Sequence, residues 1–293
     1  MEFFNVDGKI LKAEQVFIRP DNHSYRYGDG LFETMKVLAG KILLIDLHFE
    51  RLSKGLSLLQ FHTPKLFTRQ SLEQEISDLC KKNNCEELAR VRLSVSRGNG
   101  GLYDSDEKFQ YIIECWPLQD TIIDLNRNAG RRGKARSAGD GLMIDIFPDA
   151  RKSCDIFSNL KSANFLPYIM ASLFAKENKL DDCLVMNVHE RICDATIANI
   201  FWIKDEKIFT PPLSEGCVAG VMRRHLIEST QSARYKVQER VCELNDLEQA
   251  DEVFLTNVIT GIRPVKQFRK TFYLSNDNIY DSLAQNLPGN NIF

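Results

Sequence analysis

The sequence predicts a mixed α+β fold in two domains, and three observations point there. Strand-like and helix-like segments are interleaved without the regular alternation of a doubly wound sheet. At 293 residues the chain exceeds one average domain and leaves enough for two cores. A polar, glycine-containing stretch separates two halves that each carry their own apolar pattern; it includes Gly130-Arg131-Arg132-Gly133-Lys134-Ala135-Arg136. The boundaries that follow are a small N-terminal domain over 1–117, an interdomain loop over 118–140 and a larger C-terminal domain over 141–293.

In chain order, Glu2 to Lys12 predicts a hairpin turning at Asp7-Gly8. Leu31–Val37, Ala39-Gly40 and Ile42–Ile45 predict a second. Helices follow where apolar residues recur at three- and four-residue spacing: Phe49, Leu52, Leu56 and Leu59 over 48–59, and Leu72, Ile76 and Leu79 over 71–82. Ala89–Ser96 alternates, with Val91, Leu93 and Val95 on one face and Arg90, Arg92, Ser94 and Ser96 on the other. Phe109–Cys115 is its companion strand. In the second half a strand over Leu142–Phe147 precedes a long helix over 162–176 with Phe165, Ile169 and Leu173 on its apolar side. Strands are expected over 184–188 and 252–256, a hairpin around Lys204-Asp205-Glu206, a helix from Gly220 to Gln231 and a last helix over 276–285.

Composition narrows the function classes. Lys and Arg number 38 against 40 Asp and Glu, so no global field favours nucleic acid, and the basic run at 131–136 reads as a solvated linker. No apolar run approaches the ~18 residues a membrane span needs. The N-terminus shows no basic and apolar leader, which predicts a cytoplasmic protein. The eight cysteines form no CxxC pair, sit mostly in apolar stretches and read as buried free thiols; the five histidines show no HxxxH spacing, and no metal site is expected.

Three features carry chemistry. Lys161, in Ser158-Asn159-Leu160-Lys161-Ser162-Ala163-Asn164, stands at the start of the predicted helix, where the dipole disfavours an ammonium and favours a nucleophilic amine. Taken alone, it reads as a surface lysine tolerated at a helix end. Asp194, flanked by apolar residues ahead of a strand, needs a cation if buried and is otherwise a turn residue. Gly216 to Gly220 leads into Val221-Met222 and a helix whose first N–H groups suit an anion; Thr256-Asn257-Val258-Ile259-Thr260-Gly261 is a second donor-rich loop, and Arg51 supplies a guanidinium. No Walker A loop or GxGxxG is present, which removes support for an ATP or dinucleotide site.

In this order the pieces resemble the class IV aminotransferases, the fold-type IV enzymes of pyridoxal 5′-phosphate (PLP). The motifs are Tyr27-Gly28-Asp29-Gly30-Leu31-Phe32-Glu33, His48-Phe49-Glu50-Arg51-Leu52, Lys161-Ser162-Ala163-Asn164, Ala198-Asn199-Ile200-Phe201, Thr210-Pro211-Pro212-Leu213 and Gly220-Val221-Met222-Arg223. The resemblance runs from Tyr27 to Val265. It implies a C-terminal domain with a barrel-like core, a site between the two domains, and a homodimer in which the partner completes the site. It implies Lys161 as the residue that binds PLP covalently and later moves the proton. Asp194 falls where the family usually has glutamate against the pyridine nitrogen and is one methylene shorter. Arg51, Val221, Met222, Asn257 and Val258 fall at the phosphate.

The same resemblance implies a transaminase that moves an amino group between an amino acid and a 2-oxo acid. Its alternative is aminodeoxychorismate lyase, which releases p-aminobenzoate and pyruvate. Asn164 lies three residues past the lysine, as in D-amino acid aminotransferases and the lyase. Ser96-Arg97-Gly98-Asn99-Gly100-Gly101 resembles the lyase's glycine-rich loop but lacks its second arginine. A non-catalytic PLP-binding homologue is a third reading, supported only by Asp194. For the substrate carboxylate the candidates are Arg92 and Tyr25, then Arg97 and Arg26.

Overall fold

A computed structural model describes residues 1–118, 141–231, 235–273, 283 and 288. The basic run at 130–136, and all of the helix expected over 276–285 except Leu283, lie outside them. The described residues form two compact units: 1–118 with Leu160–Asn164, and 141–159 with the chain from Phe165 onward.

In the first unit, β1 (Phe3–Val6) and β2 (Lys9–Lys12) form the expected hairpin. Asp7 and Gly8 both take positive φ, 50° and 83°, as a tight two-residue hairpin turn requires. Helix α1 (His23–Tyr27) is capped by Asn22, whose side chain accepts the Tyr25 N–H at 3.1 Å. Next come β3 (Gly30–Leu38) and a short β4 (Lys41–Ile42). The sequence pattern carries this second strand to Ile45. The chain instead turns at Leu44, φ 55°, into α2 (Ile45–Leu58), because Ile45, Leu52 and Leu56 share a helical face that the core buries. Thr68 caps α3 (Arg69–Lys82).

Strands β5 (Leu88–Ser96) and β6 (Gln110–Pro117) complete an antiparallel sheet of order β2-β1-β6-β5-β3-β4. The alternation read in β5 holds: Val91, Leu93 and Val95 are buried with Leu52, Leu56, Leu72, Ile76 and Leu79, while Arg90, Arg92, Ser94 and Ser96 are not. Each such buried aliphatic side chain contributes about 1.5–3 kcal/mol of apolar burial.

The second unit holds β7 (Leu142–Lys152), α4 (Leu166–Glu177), β8 (Asp182–Asn187), β9 (Ile192–Ala195), β10 (Asn199–Lys204) and β11 (Lys207–Thr210). It continues with α5 (Val221–Ser229), β12 (Val237–Glu239), α6 (Leu244–Glu248), β13 (Glu252–Asn257), β14 (Gly261–Phe268) and β15 (Thr271–Phe272). Eight strands run in the order β12-β11-β10-β13-β14-β7-β8-β9, with β15 on β14. The sheet curls, so that β9 at one end of this path lies back against β10.

Helix α4 departs from its expected form. It starts at Leu166 rather than near 162, and it buries Tyr168, Ala171 and Ala175 against Phe147, Cys183 and Val185. The predicted face is outside: Ile169 and Leu173 are about half exposed, at 51% and 49%. Small alanines let the helix approach β7 and β8 closely, and that approach decides which face is buried.

Candidate active site

In the first unit, Leu160–Asn164 runs as an extra strand segment along β3. The Phe32 N–H donates to Lys161 O at 2.9 Å and the Ala163 N–H to Gly30 O at 2.8 Å. Lys161 therefore lies outside any helix, five residues before Leu166, and a dipole that fades within one turn does not act on it. The expected helix-dipole activation is corrected on that ground. The surroundings of the amine are instead the Phe32 ring, 4.5 Å from Nζ, with the Arg92 guanidinium 3.9 Å from the same ring. Gly28, at φ 68°, closes α1 against this segment: a Cβ there would meet Asn164 Oδ1 at 2.4 Å.

Glu33 shares the core-facing side of β3 with Leu31 and Met35 and is 2% exposed beneath α2. Arg51 Nε donates to its Oε1 at 2.7 Å, a second guanidinium nitrogen donates to Oε2, and His48 Nδ1 lies 2.7 Å from Oε2. Burial alone would raise Glu33, but the Arg51 charge and the His48 bond overcome it and hold the carboxyl at about 2. Burial pushes His48 down, and its Nε2 is buried without a hydrogen-bond partner among the described residues. Arg51, expected at a phosphate, is thus already charge-matched by Glu33.

Of the substrate candidates, Arg92 is part-buried, donates from Nε to Ser94 Oγ at 3.1 Å and shares Phe32 with Lys161. Burial lowers its pKa. Arg97 is engaged elsewhere: it pairs with Asp29 at 2.8 Å, donates to the carbonyls of Leu59 and Gln60, and lies over Phe61. Arg26 donates to the carbonyls of Pro20 and Gly100, and Tyr25 is exposed on α1. A cavity lined by Asp7, Phe17, Asn22, Ser94 and Tyr111 contains none of the predicted site residues.

In the second unit, Asp194 precedes β10 as expected, but it lies within a further strand, β9, and is 1% exposed. Its carboxylate accepts the Val218 N–H at 2.8 Å and the Tyr168 hydroxyl at 3.0 Å, and lies 3.3 Å from Lys152 Nζ. Lys152 also donates to the Tyr168 hydroxyl. Sequence reasoning misses both partners. Lys152 falls beyond the apolar run that marks its strand, and Tyr168 lies on the helix face that the periodicity places outside.

Val218 links this carboxylate to the anion cradle, because its carbonyl accepts Asn199 Nδ2 at 2.9 Å and the Gly220 N–H at 2.7 Å. A Cβ on Gly220 would meet Asn199 Oδ1 at 1.9 Å, and Asn199 pairs across the ladder with Thr256. The α5 N-terminus and the Thr256–Val258 end of β13 therefore meet around Asn199. No side chain caps α5, and the Val221, Met222 and Val258 N–H groups donate to nothing among the described residues. Thr256 Oγ1 is also buried without a partner among the described residues. Asn257 acts on the loop itself. Its Oδ1 accepts the N–H groups of Ile259 and Thr260 at 2.9 and 2.8 Å, which shapes the turn. Unsatisfied donors at a helix N-terminus suit a phosphate, and these features of the two units fit the groups that PLP needs.

Comparison with known proteins agrees. The family profile of amino-transferase class IV matches residues 30–268, and the chain belongs to that family. It is 29% identical over 251 residues to an aminodeoxychorismate lyase of Vibrio harveyi, covering 86% of this chain and 87% of the relative. A solved 4-amino-4-deoxychorismate lyase from Pseudomonas aeruginosa superposes with a TM-score of 0.80 at 25% identity, covering 97% of each chain. A PLP-bound hypothetical aminotransferase from Mycobacterium tuberculosis superposes with a TM-score of 0.81 at 18% identity, again over 97% of each, and shares the fold. The chain is a PLP-dependent enzyme of fold type IV, a transaminase or lyase. No described helix is long and apolar enough to cross a membrane.

Proposed function

We propose that this enzyme uses PLP on Lys161 to act at the amine-bearing carbon of an amino-bearing carboxylic acid, with the aminodeoxychorismate lyase reaction as the first reading. The observation that carries this choice is the lyase relative, 29% identical over most of both chains. Transamination between an amino acid and a 2-oxo acid is the second reading; the spacing of Lys161 and Asn164 fits both, and the glycine-rich loop at 96–101 lacks the second arginine of the lyase's loop.

PLP supplies an electron sink for the pair of electrons left at the amine-bearing carbon when a proton departs. Everything else falls to this chain. Lys161 Nζ binds the cofactor and then takes that proton. Asp194, charge-matched by Lys152, offers its carboxylate to the ring nitrogen, and the bonds from Tyr168 and Val218 fix the direction in which that shorter side chain points. The Val221, Met222 and Val258 N–H groups take the phosphate, the Asn257 loop shapes that end of the site, and Arg51 is a further candidate for the phosphate. Arg92 takes the substrate carboxylate, with Tyr25, Arg26 and Arg97 in supporting places. A homodimer of the cytoplasm fits this reading, and the exposed Leu166, Ile169, Met170 and Leu173 of α4 offer apolar surface for an assembly.

The test is direct. Wild type and Lys161→Ala are given aminodeoxychorismate, or a panel of L- and D-amino acids with a 2-oxo acid. Formation of p-aminobenzoate by wild type alone supports the lyase. Conversion of the cofactor to its pyridoxamine form by one amino acid supports the transaminase. Lys161→Ala is expected to lose the cofactor's visible absorption band and about a thousandfold or more in rate. A band of unchanged intensity in that variant overturns the assignment of Lys161.

A further inference from the structure

The sequence offers no metal spacing, yet the fold gathers three cysteines from three places in the first unit. Cys80 lies in the last turns of α3, Cys85 in the link to β5, and Cys115 in β6. Their sulfurs all lie within 4.8 Å of one another, and all three residues are buried. The Cys85 S–H donates to Cys115 Sγ at 3.6 Å, and Asn83 Nδ2 donates to the same sulfur at 3.2 Å.

We propose that Cys80, Cys85 and Cys115 form a binding site for a soft monovalent ion of the copper(I) class, separate from the PLP chemistry. Geometry is the first support. A metal–thiolate bond of about 2.3 Å puts the sulfurs of a three-coordinate centre about 4.0 Å apart, within the spacing found. Donor type is the second. Three sulfurs with no carboxylate or imidazole in the group select soft ions over magnesium, calcium or manganese. Coordination number is the third: a structural zinc site calls for a fourth protein ligand, and the group offers none among the described residues. The neighbours are apolar core residues, and the Asn83 amide is already engaged with Cys115 and the Phe3 carbonyl, so little remains to hold a ligating water.

Entry is at the N-terminal edge. Asn83 Oδ1 accepts the N–H groups of Glu2 and Phe3, both at 3.0 Å, so fraying of β1 there opens the way to the sulfurs.

The test uses the full-length, PLP-loaded protein, reduced and anaerobic, titrated with copper(I) against bicinchoninate. One copper per chain is expected to resist the chelator, and X-ray absorption of that species is expected to show three sulfur neighbours. Cys115→Ser should lose at least about tenfold in affinity, and Cys154→Ser, which alters a cysteine outside the group, should lose none. Equal retention of copper by wild type and Cys115→Ser overturns the site. So does a shell of fewer than three sulfurs in the wild type, a measurement that stands even if the serine variant fails to fold. None of these readouts depends on turnover, so they fail or succeed apart from the proposed reaction.

Discussion

Glu33 in the first unit and Asp194 in the second are both buried among cations and N–H or hydroxyl donors, and the two clusters are built differently. Glu33 is held by Arg51 and His48, which come from the next helix, 18 and 15 residues along the chain. Asp194 is held by Lys152, Tyr168 and Val218, which lie 42, 26 and 24 residues away in three different parts of the chain. Glu33 has a guanidinium fork and is tied to α2 as a structural link. Asp194 has a single lysine charge, supplemented by a phenol and a backbone N–H. The difference teaches that burial of a carboxylate alone does not mark a site: what distinguishes Asp194 is that Val218 joins it to unsatisfied donors at a helix N-terminus.

The largest effect should come from breaking the fork. Arg51→Met leaves Glu33 buried without its guanidinium and should cost about 3–5 kcal/mol, read as a drop in the denaturant midpoint. Lys152→Met should cost less, about 1–3 kcal/mol, because Tyr168 and the Val218 N–H still donate to Asp194. Equal losses would mean that the two clusters are not built differently after all.

Acid tests the Glu33 cluster next. Glu33 is held at about 2 against an ordinary 4.5, so it contributes stability above pH 4.5 that is lost as pH falls toward 2. The depressed His48 acts in the same direction, beginning below 6.5, because the unfolded chain takes up the proton first. Glu75 and Glu114, raised by burial, work the other way, so the comparison must be with Glu33→Gln. Wild type should lose about 3 kcal/mol more than this variant between pH 5 and pH 2 in urea melts. Parallel curves would remove Glu33 as an ionised link.

How much of this is legible in the sequence depends on distance along the chain. The β1–β2 turn, the alternation of β5 and the period of α3 are local patterns, and the sequence shows them directly. Lys161, Asp194 and the Val221-Met222 helix start emerge from motif order. The Lys161 environment does not, because the apolar period begins the helix four residues early and no local signal says that 160–164 pairs with β3. Lys152 and Tyr168 stay invisible because their roles come from a β7 strand longer than its apolar run and from a helix that buries alanines in place of its larger residues. The grouping of Cys80, Cys85 and Cys115 is invisible for the same reason, since one of the three is 30 residues from its nearest partner.

The carboxylates should also differ in what their charge does. Asp194→Asn keeps the shape of the side chain and removes the charge proposed to face the ring nitrogen. It should lower kcat about a hundredfold, close to 2.7 kcal/mol, with the fold retained by circular dichroism. Glu33→Gln should change stability more than kcat. A silent Asp194→Asn would move the proposed ring-nitrogen contact to another residue.

Tyr168→Phe is the smallest change and the sharpest. It removes one donor from Asp194 while Lys152 and the Val218 N–H remain, so stability should fall by only about 1 kcal/mol. If the hydroxyl merely fills a hole in the core, that is all that should happen. If it aims the shorter aspartate, as the 3.0 Å bond to Oδ2 and the Lys152 contact suggest, the cofactor's visible band should titrate at a shifted pH and kcat should fall with KM unchanged. Asp194→Glu in the Tyr168→Phe background should then restore part of the lost kcat, because the added methylene supplies reach that the phenol no longer directs. Failure of that rescue, with the band unshifted, would assign Tyr168 to packing and leave Lys152 and Val218 as the groups that position Asp194.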